Sequence, residues 1–567
     1  MTRHPLTVVL LWAAALILPF LALRSWWFPD EPDVALPVIE MHERGDWVVP
    51  THNGTPWLDY QPLVYWGGLV VARMTGSVEE WGTRLPGALA ALLLIAAACA
   101  LARRQDPSHD RTLATGAILL SMPLVLWQAV NVHPDMPYAA AVTLGLATYA
   151  WAEGLTGAGA WAARAGAFAA FGLAWLGKGP LGLLLPGLVL TLWHAWNRQW
   201  WRILALGPLT LAALAVVAVW YVPLTNRLGW SYVWGEFQAQ NFDRFSAGTN
   251  RGHGGKGWHY YFSRLWSEGG LWAAVAIPAL IGGWRRRRQD PRWRLVAIWF
   301  VAYFAFLTLA ATKRGVYLLP AMPALALLIA DWLTHLDEAA PWERRWWLIL
   351  AWLVAVILAV GGTTLLMAGL AWDRVVTLPL IARPLVEADA SAVVLTLAPG
   401  VALVGAVLAL GGGVAVRWLR HGAPALALTL VLSLSLGLGW MATQALILSR
   451  LDGVRTYRPA CVWLDARLPE KAVLGYHDPG RENLKRAGFL SYLRGHPLQY
   501  LPTTEAVQAF LAADPRAVVV VEERADHPSL LQARIATWNM GMATWHALGG
   551  AEQRTAGPVT SPSRAGP

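Results

Sequence analysis

Apolar residues in this chain come in blocks of roughly 20, among them Leu6–Phe28, Leu85–Ala102 and Leu348–Leu370, each long enough to cross a hydrocarbon core about 30 Å thick. Backbone amides in hydrocarbon have no water to bond, so such blocks fold as helices. The blocks fall near 6–28, 84–102, 113–130, 137–153, 161–176, 180–196, 203–224, 270–284, 295–311, 316–333, 346–370, 394–416 and 423–447, about 13 helical spans in a polytopic membrane protein. With 56% hydrophobic and only 14% charged residues, a soluble enzyme is excluded.

Charge sets the expected orientation. Met1–Phe28 has a short positive start and no convincing small-residue cleavage site, so it reads as a retained first span with its amino end in the cytoplasm. Arg103, Arg104, Arg111, Arg164, Arg198, Arg202, the run Arg285–Arg288, Arg292, Arg294, Arg344, Arg345, Arg417 and Arg420 then fall on the inner side, as the positive-inside rule requires. The net charge of +10 is thus mostly topology and anionic headgroups rather than nucleic acid. Many of the 35 Trp residues sit where apolar runs meet polar ones, as interfacial anchors do. Cys99 lies in an apolar stretch and Cys461 in a polar one, so no disulfide framework or Cys-based metal cluster is expected.

This threading places segments 29–83 and 226–269, a shorter one at 371–391, and everything after about Leu448 on the outer side. The chain divides into a transmembrane domain over 1–449, an outer α/β domain over 450–554 and a disordered Ser/Pro/Gly/Thr-rich tail over 555–567. Within the outer domain, Lys471–Tyr476 and Ala517–Glu522 read as buried strands, and Thr504–Ala512 and Ser529–Thr537 as helices. There is no internal repeat and no Gly-rich nucleotide fingerprint.

Polar residues on the outer side are the chemical candidates. Asp30-Glu31-Pro32-Asp33 follows the first block directly, where carboxylates are costly unless solvated or used. Asp59 stands in the aromatic, Pro-rich run Trp57–Trp66, which partitions into the interface. Asp135 sits between Pro134 and Pro137 in a rigid turn, either capping the next helix or held at the mouth of the bundle. Lys178, Lys313 and Arg314 are outer cations that break the charge rule the other loops obey. Flanked by Gly177, Gly179 and Gly315, they suit a membrane-held phosphate, with snorkelling at a helix end as the plain alternative. The run Arg251–Tyr261, with His253 in a Gly-rich stretch, could close over a substrate.

Carboxylates beside cations at an outer surface suit transfer of a glycosyl group from a lipid-linked phosphate donor. The membrane retains such a donor, which agrees with the missing nucleotide motif. A lipid or polysaccharide transporter is the competing class, but it would need ionisable residues deep within spans, where this chain has few.

The order Asp30-Glu31, Gly45-Asp46-Trp47, Leu58-Asp59-Tyr60-Gln61-Pro62, Trp81…Arg84-Leu85-Pro86, Asp135-Met136-Pro137, Lys178-Gly179-Pro180, Arg244-Phe245, His253…Tyr260-Tyr261 and Lys313…Tyr317-Leu318-Leu319-Pro320 resembles the ArnT-like branch of the GT-C glycosyltransferases across about residues 1–335. That branch includes the lipid A 4-amino-4-deoxy-L-arabinose transferases and is related to protein O-mannosyltransferases. The resemblance implies a metal-dependent enzyme of the bacterial inner membrane that moves a sugar from a polyprenyl-phosphate donor to a lipid, protein or glycan acceptor, with its carboxyl-terminal domain on the periplasmic or extracellular side. By position, Asp30 and Asp135 would be the catalytic carboxylates. Lys178, Arg244 and Tyr317, joined by Lys313 and Arg314 from the charge reading, would contact the donor phosphate. Asp59 and His253 would hold a divalent ion such as Zn, Mg or Mn. The chain departs from the family where Asp59-Tyr60-Gln61-Pro62 replaces the usual Glu-Lys-Pro-Pro, and where Asp33 stands at a position often held by arginine. The resemblance therefore carries the reaction rather than a particular sugar and acceptor.

Overall fold

The computed structural model describes residues 4–27, 30–105, 109–243, 256–286, 291–377, 395–477, 492–493, 495–522, 530–540 and 543–555. A helix occurs in every apolar block marked out by the sequence. Among the described residues seven helices are long and apolar enough to cross a membrane, and an eighth is added if His109–Leu119 and Pro123–Ala129, bent by 71° at their junction, form one broken span. Pro5–Phe20, Leu181–Trp196 and Trp293–Leu309 are shorter apolar helices. The chain is an integral membrane protein of mostly helical build, with a small sheet near its carboxyl end.

The first block behaves differently from its sequence reading. Its helix ends with the 3-10 turn Leu18–Phe20 rather than running to Phe28. Residues 25–27 have no regular secondary structure. Arg24 is buried at 4% exposure, its Nη1 bonded to Glu31 and its Nη2 to the Val130 carbonyl and Asn131.

Two helices of the first polar segment carry the site. Asp30–Arg44 starts with Asp30, Glu31 and Asp33 in its first turn and ends with His42 and Arg44 in its last, charges that match the helix dipole at both ends. Pro62–Thr75 begins on Pro62, which costs nothing at a position whose amide has no partner anyway. Between them a core of Trp26, Val34, Val38, Met41, Trp57, Tyr65 and Leu69 fixes the segment as a packed unit rather than a loose loop.

The carboxyl-terminal sheet has five strands in the spatial order Leu498–Tyr500, Leu474–His477, Val518–Glu522, Ala543–Gly549, Arg534–Met540. The first three are parallel and the last two join antiparallel. The expected strands at 471–476 and 517–522 and the helix at 504–512 are present with shifted ends. The expected helix Ser529–Thr537 is not: residues 530–533 form a 3-10 turn and Arg534–Met540 is a strand. Ile535, Thr537 and Trp538 favour a pleated surface, and pairing with Ala543–Gly549 overrides the short helical pattern. Leu36 of the first polar segment packs into the same core as Tyr457, Trp463, Tyr476 and Trp545, so the sheet unit sits against the helix that begins with Asp30.

Candidate active site

Arg314 is the point where the expected groups meet. Its Nη2 lies 3.3 and 3.2 Å from the two carboxylate oxygens of Asp30, and it also feels the charge of Asp135. The Asp30 side chain is 39% exposed and that of Arg314 27%, so this pair is open to a ligand. Backbone bonds fix the cation's loop: the Arg314 carbonyl accepts from the Tyr261 hydroxyl at 3.2 Å, and the Lys313 carbonyl from the Lys256 ammonium at 2.9 Å.

Asp135 begins the helix Asp135–Ala152 but does not cap it. Its fully buried carboxylate is held by Lys178 on one oxygen and by His133 on the other. Lys178 ends the helix Gly157–Lys178, and its ammonium lies 4.0 Å from the centroid of the Tyr317 ring. The carboxylate fixes the direction of this cation, and the ring face stabilises it there. The two candidate aspartates thus differ: Asp30 can touch a substrate, whereas Asp135 acts on Lys178. Past Lys178 the chain turns through Gly179 at φ +78, a left-handed conformation that a side chain would strain. A Cβ there would stand 2.6 Å from Oδ1 of Asn241, so the second polar segment closes directly over this turn.

Asp59 accepts from Nε2 of Gln240 at 2.7 Å, a second contact from that segment. Beside it, burial pushes the Tyr60 phenol well above its ordinary range, and the carboxylates of Asp30, Asp33 and Asp59 push it further. Tyr60 therefore stays a neutral donor at physiological pH, its ring 6.1 Å from that of His133. Lys313 lies apart from its sequence reading: it is 4% exposed and its ammonium bonds the Ala310 carbonyl at the end of a helix. It serves that helix end, while its neighbour Arg314 faces Asp30.

Sequence reasoning passed over the group that holds these parts together. Glu31 is buried at 3% exposure and accepts from Arg84 through Nε and Nη2, both at 2.8 Å, from Arg24 at 3.1 Å, and from the amides of Trp27 at 2.9 Å and Val132 at 3.1 Å. Burial would raise its carboxyl, but Arg24 and Arg84 outweigh this and bring it down to about 2. The Val132 bond ties Asp30's helix to the turn that carries His133 and Asp135. A charged residue at the start of an apolar block, Arg84, was the signal available in the sequence.

Arg244 and His253 lie outside the described residues. Among the described residues no three His, Cys, Asp or Glu side chains are grouped to hold a metal ion. Of the expected pair, Asp59 is the one donor among the described residues.

This arrangement defines a membrane-embedded GT-C fold with an acidic and cationic site at the ends of its helices. Its fold superposes on solved structures: ArnT from Cupriavidus metallidurans bound to undecaprenyl phosphate matches with a TM-score of 0.74 at 23% identity, covering 96% of this chain and 98% of that one. The archaeal oligosaccharyltransferase AglB from Archaeoglobus fulgidus, in complex with an inhibitory peptide and a dolichol-phosphate, matches at 0.52 and 12% identity over 92% of this chain and 69% of that one. In sequence, residues 59–223 match the family described as dolichyl-phosphate-mannose-protein mannosyltransferase. An undecaprenyl phosphate-alpha-4-amino-4-deoxy-L-arabinose arabinosyl transferase of Pseudomonas aeruginosa is 30% identical over 310 residues, 53% of this chain and 55% of the relative. A relative of the same description from Pseudomonas fluorescens is 28% identical over 376 residues, 65% of each chain. The chain spans about half the length of the first curated relatives it matches.

Proposed function

We propose that this chain is a glycosyltransferase that moves a sugar from a polyprenyl-phosphate donor to a lipid acceptor at the outer face of the membrane. The observation that carries this reading is the pairing of Asp30 with Arg314 and of Asp135 with Lys178 and Tyr317, two groups close enough that the charge of Asp135 acts on Arg314. In the reaction an acceptor oxygen attacks the anomeric carbon, the bond from that carbon to the phosphate oxygen breaks, and polyprenyl phosphate leaves. Lys178 and Arg314 lie where they neutralise the negative charge growing on the departing phosphate. Asp30 takes the proton of an acceptor hydroxyl, or orients an acceptor that is already anionic. A divalent ion on Asp59 and His253 would add positive charge at the same phosphate.

Orientation belongs to the same reading: the amino terminus is cytoplasmic and the sheet unit lies outside, in the inner membrane of a bacterium. A protein acceptor is the second reading, favoured by the match of residues 59–223 to protein mannosyltransferases. Membranes containing the chain, given labelled polyprenyl-phosphate sugar, should pass label into lipid; label in protein selects the second reading. Asp30→Asn should abolish transfer with normal membrane expression, and full activity in that variant rejects the assignment.

A further inference from the structure

We propose that Asp452 and Tyr492, from the carboxyl-terminal unit, form a latch that positions the catalytic carboxylate Asp30. This rests on the glycosyltransferase reading and gives the unit a part in the reaction. Asp452 grips the irregular segment just before Asp30 with both carboxylate oxygens. Oδ1 accepts from the Ser25 amide at 2.9 Å and from Trp27 Nε1 at 2.8 Å, and Oδ2 accepts from Ser25 Oγ at 2.8 Å. Tyr492 holds the residue between: its hydroxyl accepts from the Trp26 amide at 2.6 Å and donates to Glu80 Oε1 at 3.1 Å, and its ring lies 5.0 Å from the Trp26 ring.

These contacts replace what regular secondary structure would otherwise provide. Residues 25–27 lie in neither helix nor strand, and the latch supplies the partners of the Ser25 and Trp26 amides. On the far side, Trp26 Nε1 donates to Thr83 Oγ1 at 2.9 Å and the Trp27 amide to Glu31 at 2.9 Å. The segment is thus clamped between the sheet unit and the Glu31 cluster. Glu31 in turn bonds the Val132 amide, so the same clamp reaches the turn of His133 and Asp135. Asp30 opens the helix that leaves this clamp, and its partly exposed carboxylate meets Arg314, so the position of the helix base sets where that carboxylate stands. Small displacements of a reacting group cost large factors in rate, so holding the base of that helix acts on turnover rather than on donor affinity.

The test measures kcat and KM for the polyprenyl donor in full-length Asp452→Asn, Asp452→Glu, Tyr492→Phe and Trp27→Phe, beside thermal unfolding of each. Asp452→Asn should lower kcat about tenfold with the donor KM unchanged, and Asp452→Glu should recover much of it. Asp452→Asn and Trp27→Phe together should cost no more than the larger single change, since they share one bond. Asp465→Ala removes a different contact of the same unit, one with His496 at 3.3 Å that touches no part of the latch, and should leave kcat as it is. Unchanged kcat in Asp452→Asn, or a loss matched by the loss of folded protein with normal turnover per folded molecule, overturns the latch. No transfer by the wild-type chain overturns the glycosyltransferase reading and the latch with it.

Discussion

Arg84 donates two hydrogen bonds of 2.8 Å to Glu31, joining the start of one apolar helix to the first turn of the helix that carries Asp30. Both side chains are at least nine-tenths buried, and Arg24 shares the same carboxylate. Glu31→Gln would leave two guanidinium groups buried without their counter-charge. Loss of one partner from such a cluster costs about 3–5 kcal/mol, so thermal unfolding in detergent should show a large drop in stability. Protonation should act in the same direction. The folded carboxyl titrates near 2 against an ordinary value of 4.5, so its contribution is complete above about pH 4.5 and is lost as pH falls toward 2. The wild type should lose stability across that window more steeply than Glu31→Gln.

Lys178 links the buried Asp135 to the ring of Tyr317. Its removal takes away a cation at the departing phosphate and leaves the buried Asp135 to its ion pair with His133. Lys178→Met should reduce transfer by about 10²–10³-fold, the size of effect seen when one preorganised charge stabiliser is lost. Lys178→Arg should keep part of the activity. Both are read by single-turnover transfer of labelled sugar; wild-type rates in Lys178→Met would remove this residue from the reaction.

Apolar block length made the helices legible, because in hydrocarbon that length admits few other structures. Asp30, Asp135, Lys178 and Arg314 were legible for a related reason: polar groups beside such blocks stand out against the apolar background, whereas Tyr317 came from the family resemblance alone. What escaped was pairing at a distance. Glu31 and Arg84 are 53 residues apart, and Ser25 and Asp452 are 427 apart, so nothing local marks either partnership. Lys313 and Arg314 show another limit: adjacent cations with the same composition signal point to a helix end and to Asp30 respectively, a choice made by backbone geometry. The strand Arg534–Met540 was misread because a short apolar run takes its conformation from the neighbour it pairs with.

Asp59 is where a metal ion would be felt first. Its Oδ1 is bonded by Gln240, so an ion entering there must displace or share that donor. If the reading with His253 is right, chelation should abolish transfer, a single divalent metal should restore it, and Asp59→Ala should reduce the rate and lose the response to added ion. Gln240→Ala should then retain metal dependence, since it removes a competitor rather than a ligand. Equal rates with and without chelator, in both the wild type and Asp59→Ala, would remove the ion from the reaction.

Gly179 tests whether the two polar segments must close on each other. Its φ of +78 is costly for any residue with a side chain, and the added Cβ would meet Asn241 at 2.6 Å. Asn241 is also tethered, through Nδ2, to the Phe237 carbonyl at 2.8 Å, so it cannot retreat without disturbing the helix Trp230–Gln238. Gly179→Ala therefore combines backbone strain of about 1–3 kcal/mol with displacement of the second segment. Lys178 is the preceding residue, so the same strain moves the cation off Asp135 and Tyr317. Transfer should fall at least tenfold while the helices survive, as judged by far-UV circular dichroism. Asn241→Gly in the same chain removes the clash but not the strain, so it should recover part of the activity; no recovery would assign the whole defect to the backbone turn.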